Sequence, residues 1–288
     1  AGEGEAALER VHTSSDLEEA VAGADVVIEA MAENLEQKLG VFEKLDAHCA
    51  EHTIFASNSS SYMPSKLAAG TKRPEKVVGA HYFNPPFLIP LVEIIWSDQT
   101  SEETAQGIYD LMAKIGKSPV MVKKEVPGFI ANRIQGAIWR EILYLVSEGV
   151  ATPQDIDQVV KTSIGRRLAV AGPFELTELI GLDLKRAILA ELLPSMPTYT
   201  EVPPILNDKV EKGELGVKTG KGFYDWTPEK VVELRGRIVV VFSDLNISWY
   251  WGDQKADARE RGLQFGVNLI VFALTQPGGI ANVSQFAR

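Results

Sequence analysis

Cysteine is almost missing from this chain. Cys49 stands alone, so no intrachain disulfide can form, and a reducing compartment such as the cytoplasm is the expected setting. It follows a helical pattern and reads as a small buried residue rather than a nucleophile. Long apolar runs are missing as well: no segment approaches the roughly 18 apolar residues of a membrane-spanning helix, so no membrane partner is expected. Basic charge is in deficit, with 29 Lys and Arg against 39 Asp and Glu and a net charge of −10. That balance argues against nucleic acid or an anionic membrane surface as the main partner. It leaves room for a local basic pocket around a phosphorylated ligand. Internal repeats and low-complexity tracts are absent, and no metal site is expected. The N-terminal AGEGEAALER has the features of neither a signal peptide nor a transit peptide. It lacks an initiator methionine, so the start is read as cut or processed.

What is present is ordinary globular material: 45% hydrophobic residues in 288, enough for two domains or one large one. From residue 10 to about 124 strands and helices alternate. ADVVIEA (24–30) is a continuous apolar strand and NLEQKLGVFEKLDAHCA (34–50) an amphipathic helix. TIFASN (53–58) is a strand, MPSKLAA a short helix, and KVVGAHYF (76–83) and PLVEIIW (90–96) are two more strands. SEETAQGIYDLMAKIG (101–116) reads as a helix with Ser101 as N-cap and Gly116 at its end, followed by the strand SPVMVKK (118–124). This alternation predicts an open α/β sheet covered by helices. At EVPGFIANRI (125–134) the texture changes to long helical runs, with TPQDIDQVV opening at a Thr cap and the Gly-rich KGELGVKTGKGFYDW (212–226) closing them with turns. Three regions are therefore expected: an α/β domain over 1–124, a helical domain over 125–228 and a strand-plus-helix tail over 229–288.

Two stretches carry candidate chemistry. TIFASN runs into SNSSSY (57–62), which places small hydroxyl residues at the carboxyl end of a parallel strand, where α/β sheets bind ligands. A serine that merely caps the next helix is the other reading. In VVGAHYFNPPFLIPLVEII (77–95), His81 ends one strand and Glu93 lies in the next, with three prolines between them. Adjacent strand ends could bring imidazole and carboxylate into hydrogen-bonding reach. The carboxylate would then fix the ring tautomer and raise the basicity of the far nitrogen, as a general base for a hydroxyl proton requires. On spacing alone, a satisfied strand-end histidine and an unrelated surface glutamate fit equally well.

ADVVIEAMAENLEQK, SNSSS, HYFNPP…LVEI, PGFIANR, GPFELTELIGLD and GVKTGKGFYDW, in this order over about residues 5–226, together resemble the L-3-hydroxyacyl-CoA dehydrogenase family. The resemblance implies a doubly wound, Rossmann-type NAD-binding domain followed by a mainly α-helical domain for substrate and dimerisation. It implies oxidation of a 3-hydroxyl on an acyl thioester by hydride transfer to NAD, in a homodimer acting on a small molecule. By the same resemblance His81 is the catalytic base and Glu93 its orienting partner, Ser60 binds the substrate hydroxyl near the nicotinamide, and Asn132 helps position substrate and histidine. Asn84 lies beside the site, and Glu33 and Lys38 are nicotinamide-side contacts; a solvated charge pair at a helix start is the alternative for those two. HYFNPPFLIPLVEI also resembles relatives that oxidise free hydroxy acids, sugar acids or hydroxymethyl groups. A non-catalytic relative, like the lens crystallin recruited from this family, is the further alternative.

The chain departs from the family at two points, its start and its tail from 236 to 288, which is foreign to the family's C-terminus. Members open with a strand and a Gly-x-Gly-x-x-Gly turn that lays the NAD pyrophosphate on a helix N-terminus. No such motif precedes ADVVIEA or occurs elsewhere, so the expectation is a truncated chain or an incomplete cofactor site. RIVVVFSDLN (237–246) and DQKADARERGLQFGVNLIVFALTQ (253–276) follow the order of the missing second strand and its helix, with Asp244 where an acidic residue would bind the adenosine ribose. Chain rearrangement is one reading of this tail, and an unrelated extension the other. The 288-residue chain is expected to bind NAD at least about tenfold more weakly than a relative with the glycine turn, a loss of about 1.4 kcal/mol or more. Calorimetry reads this directly. Low-micromolar affinity would contradict it and would mean that the tail around Asp244, or a partner subunit, completes the site.

Overall fold

A computed structural model of the chain describes residues 10–226, which fall into two compact units, 10–131 and 132–226. The first is built on a five-stranded sheet whose spatial order follows the sequence. The strands are β1 (Val26–Glu29), β2 (Ile54–Ser57), β3 (Val77–Tyr82), β4 (Leu91–Ile95) and β5 (Ser118–Val122). All neighbours run parallel except β3 and β4, which are antiparallel. α1 (Leu17–Val21) precedes β1, and the helices between the strands are α2 (Leu35–His48), α3 (Pro64–Leu67) and α4 (Glu102–Lys114).

Strand residues alternate between faces, and each face has its own apolar cover. Ile28, Ala56, Val78, Ala80, Val92 and Ile94 pack against Ile108 and Met112 of α4. On the other side Phe55 and Val77 meet Val21 of α1, Phe42 and Leu45 of α2, and Leu67 of α3. Phe42 and Phe55 are fully buried and meet edge to face with centroids 6.1 Å apart; truncating either to alanine would cost about 3–5 kcal/mol. The helix ends are closed by their own sequence. Ser101 Oγ accepts the N–H of Thr104 at 3.1 Å, and Gly116 takes the left-handed conformation, φ 83°, that a helix exit needs. The short α1, with Asp16 as N-cap, has too few apolar positions to register as a periodic run. The segment read as one short helix from Met63 is α3 followed by a 3-10 turn, Ala68–Gly70.

The second unit is helical: α5 (Ala131–Ser147), α6 (Pro153–Thr162), α7 (Ile164–Leu168), α8 (Pro173–Ile180), α9 (Leu182–Leu192) and α10 (Pro204–Glu211). Thr152 caps α6 in a reciprocal box with Asp155. Gly149 and Gly181 break the helical runs at positive φ. The strand and helix read at 237–246 and 253–276, and Asp244, lie outside the described residues.

Gly70 marks a contact that tolerates no side chain. A Cβ there would sit 2.8 Å from the carbonyl oxygen of Leu39 in α2 and 3.0 Å from Phe42 Cβ, and neither can swing aside. Gly70→Ala is expected to destabilise the first unit by about 1–3 kcal/mol in urea denaturation. An unchanged midpoint would show that the turn moves away from α2 freely.

Candidate active site

The antiparallel pairing of β3 and β4 places His81 directly opposite Glu93. Residues opposed in this way point to the same face, so twelve residues of sequence become one contact. His81 Nδ1 lies 2.9 Å from Glu93 Oε2, and both side chains are buried, at 6% and 1% exposure. A carboxylate can only accept, so Nδ1 carries the proton and neutral imidazole keeps its lone pair on Nε2. Phe83 and Phe129 bracket the ring at 4.5 and 5.4 Å between centroids. The imidazole is thereby fixed in tautomer and in plane.

Glu93 has a second task. Its Oε1 accepts the N–H groups of Ile130 and Ala131, each at 2.9 Å, at the start of α5. The chain reaches that point through two left-handed residues, Gly128 (φ 78°) and Phe129 (φ 49°). Such a conformation costs a non-glycine residue roughly 1–2 kcal/mol. Phe129 offsets this with a fully buried ring packed on Ile95 and Val122. Successive N–H groups turned inward in this way form a nest for an anion, and the anion is the Glu93 carboxylate. Burial pushes the Glu93 carboxyl up, but the hydrogen bonds from His81, Ala131 and Ile130 outweigh it and hold the group below the usual carboxylate range. Glu93 is therefore ionised wherever the fold is intact near neutral pH.

A second cluster forms at the carboxyl ends of β1 and β2. Glu29, the last residue of β1, accepts from Lys38 Nζ on Oε1 at 2.6 Å, from the N–H of Met31 at 2.6 Å, and from Ser57 Oγ on Oε2 at 2.6 Å. Four residues on, Glu33 accepts the hydroxyl of Ser59 at 2.8 Å and the N–H of Ser60 at 2.8 Å, with the Ser60 hydroxyl at 3.3 Å. Lys38 sits between the two carboxylates, 2.6 Å from Glu29 and 3.9 Å from Glu33. The lysine and Glu29 are buried, so this is an internal ion pair and not a solvated one at a helix start. Truncating one partner of such a pair strands the other's charge.

The sequence reading thus singled out Glu33, Lys38 and Ser60, which the structure brings together, and His81 with Glu93, which it also brings together. Its alternative paired Lys38 with Glu33, whereas the tight partner is Glu29. It passed over Glu29, and took in Ser57 and Asn58 only as part of the stretch SNSSSY. The signal for Glu29 was a carboxylate closing an otherwise apolar strand, a place where a charge must be paired. Asn84 is exposed three residues after His81, in a loop whose carbonyls at Pro86 and Ile89 are held by Lys117. Asn132 is the second residue of α5, half-buried and directly after the nest that holds Glu93. Cys49 caps the end of α2 half-buried instead of fully buried, and its thiol is pushed up by burial, which disfavours the thiolate.

Sheet, helices and the buried imidazole–carboxylate pair define a doubly wound nucleotide-binding domain followed by a helical domain. The chain matches the 3-hydroxyacyl-CoA dehydrogenase NAD-binding domain over residues 1–126 and the 3-hydroxyacyl-CoA dehydrogenase C-terminal domain over residues 128–226. It belongs to the 3-hydroxyacyl-CoA dehydrogenase family of NAD-dependent oxidoreductases. It is 42% identical over 220 residues to a probable 3-hydroxybutyryl-CoA dehydrogenase of Bacillus subtilis, covering 76% of this chain and 75% of the relative. It is 38% identical over 225 residues to the 5-formyl-3-hydroxy-2-methylpyridine 4-carboxylate 5-dehydrogenase of Mesorhizobium japonicum, covering 78% and 73%. A crystal structure of an enzyme of that latter name superposes with a TM-score of 0.75, covering 77% of this chain and 72% of that one.

The donor set suits the nicotinamide end of NAD. A carboxamide offers two N–H donors and one carbonyl acceptor, and the Glu33 carboxylate beside the Ser60 hydroxyl is a group chemistry that would hold one.

The acid limb of stability tests the Glu93 assignment. A carboxyl whose folded value is depressed stabilises the fold above its unfolded value, and that contribution disappears as pH falls through the folded value. The stability gap between wild type and Glu93→Gln is expected to be widest above pH 4.5, the ordinary value, and to shrink below it. A gap constant across urea titrations from neutral to acid pH would contradict the assignment.

Proposed function

We propose that this enzyme oxidises the 3-hydroxyl of a short-chain L-3-hydroxyacyl-CoA to the 3-ketoacyl-CoA, with His81 as general base. The observation that carries the reading is the buried 2.9 Å contact of His81 Nδ1 with Glu93, which leaves Nε2 as the basic atom. When bound, NAD supplies the hydride acceptor. The chain's own residues handle the proton and the geometry. The Ser60 hydroxyl turns from its long contact with Glu33 to donate to the substrate oxygen, and holds the substrate hydroxyl toward Nε2. Nε2 takes the hydroxyl proton as the carbon–oxygen bond becomes a carbonyl, and Glu93 stabilises the imidazolium that results. Asn132 orients the substrate beside the histidine. Glu33, Ser60 and Asn84 hold the nicotinamide end of the cofactor, and Lys38 supports that side by fixing Glu33 and Glu29.

In this reading residues 1–124 carry the cofactor, 125–228 carry the substrate and the contact of a homodimer, and the enzyme works in the cytoplasm on a small molecule. A second substrate class is favoured by one finding: a relative 38% identical is named for a pyridine carboxylate rather than a CoA ester. A free hydroxy acid or hydroxymethyl substrate would use the same base, serine and cofactor face.

Two measurements test these assignments. His81→Gln is expected to lower turnover by about 10²-fold or more, the worth of a positioned base, and Glu93→Gln to lower it less. Wild-type turnover in His81→Gln would remove the histidine from the mechanism. In a comparison of kcat/KM, 3-hydroxybutyryl-CoA is expected to exceed free 3-hydroxybutyrate and pyridine-ring hydroxymethyl acids. The reverse order would move the enzyme to the second class.

A further inference from the structure

Ser60 and His81 meet the same substrate oxygen in the proposed reaction, yet Ser60 lies in the loop after β2 and His81 on β3. Backbone pairing does not fix one against the other. β2 and β3 stay in register only as far as Ser57 and Gly79, three residues short of Ser60 and two short of His81. On its far side β3 is held by β4, which positions His81 against Glu93 and says nothing about the serine loop. Glu33 holds Ser59 and Ser60, but from the β1 side.

Asn58 closes this gap. Its backbone N–H donates to the carbonyl of Glu29 at 2.8 Å, extending the β1–β2 ladder by one rung. Its side-chain Oδ1 accepts the N–H of Tyr82 at 2.8 Å, the residue directly after His81. Among the described residues this is the sole side-chain hydrogen bond from the loop 58–62 to β3. The side chain stands in for the carbonyl that β2 would offer had it continued. We infer that Asn58 is a positioning residue of this active site: it sets the Ser60 hydroxyl against the His81 imidazole through Tyr82. The inference rests on the roles given to Ser60 and His81 in the proposed function.

The chemistry specifies what can replace it. Tyr82 N–H is a donor only, so the partner must be an acceptor at the reach of an Asx side chain. Aspartate keeps that acceptor, and alanine removes it. Without it no side-chain hydrogen bond among the described residues joins the serine loop to β3, whose pairing with β2 ends at Ser57 and Gly79, and a misplacement of about 1 Å at a reacting centre can cost about 10²-fold in rate.

The test compares Asn58→Ala, Asn58→Asp and His81→Gln in the full chain, each checked for native circular dichroism. Turnover of 3-hydroxybutyryl-CoA with NAD is read alongside hydrogen exchange of the Tyr82 amide. Asn58→Ala is expected to lower kcat about tenfold or more with a much smaller change in KM, and to speed exchange at Tyr82. Asn58→Asp is expected to keep slow exchange and most of the turnover, a rescue that a role in bulk packing would not produce. Near-wild-type kcat in Asn58→Ala beside an impaired His81→Gln would overturn the inference alone, as would equal impairment in the alanine and aspartate variants. Wild-type turnover in His81→Gln would overturn the site assignment and this inference with it, while Tyr82 exchange would still report whether Asn58 joins the strands.

Discussion

The Glu93 carboxylate is the interaction on which the site depends. One oxygen fixes a histidine and the other gathers the two N–H groups that begin α5. The acceptor is buried and each of its bonds is charge-assisted, so the arrangement is stiff in a way that exposed ion pairs are not. The local strain at Phe129 belongs to the same unit: a left-handed residue turns the backbone so that successive N–H groups face one anion. The orientation of the base and the turn through Phe129 to Ala131 are thus consequences of a single side chain.

A parallel logic governs the other half of the site. Glu29 closes β1 and Glu33 lies four residues on; Glu29 holds Ser57 at the end of β2, and Glu33 holds Ser59 and Ser60 in the loop after it. Lys38 lies between the two carboxylates and neutralises the deeper one. The result is a loop of small residues held from below, which leaves its upper surface open at the carboxyl ends of the parallel strands.

Much of this architecture was legible in the sequence because it rests on patterns of short range. The apolar runs at 76–83 and 90–96 bracket β3 and β4 to within a residue, and Ser101 and Thr152 announce the helices they cap. The six ordered blocks pointed to the family and, with it, to His81 and Glu93. What stayed hidden depends on register. Whether β4 runs parallel or antiparallel to β3 decides if His81 faces Glu93, and an eight-residue proline-rich connection does not determine that direction from composition. Asn58 looks like one more polar loop residue until β3 is placed beside it. Lys38 lies nearer to Glu33 than to Glu29 along the chain, and only the fold of the β1–α2 turn reverses that preference.

The central claim is that Glu93 holds the proton of neutral His81 on Nδ1 and leaves Nε2 basic. Long-range nitrogen–proton correlation spectra of imidazole-labelled protein read the tautomer of each of the four histidines, and His81→Gln identifies the signal. At pH values where the ring is neutral, the account predicts a protonated Nδ1 and a bare Nε2 for His81. A proton on Nε2, or the averaged signal of a ring exchanging freely between tautomers, would contradict it.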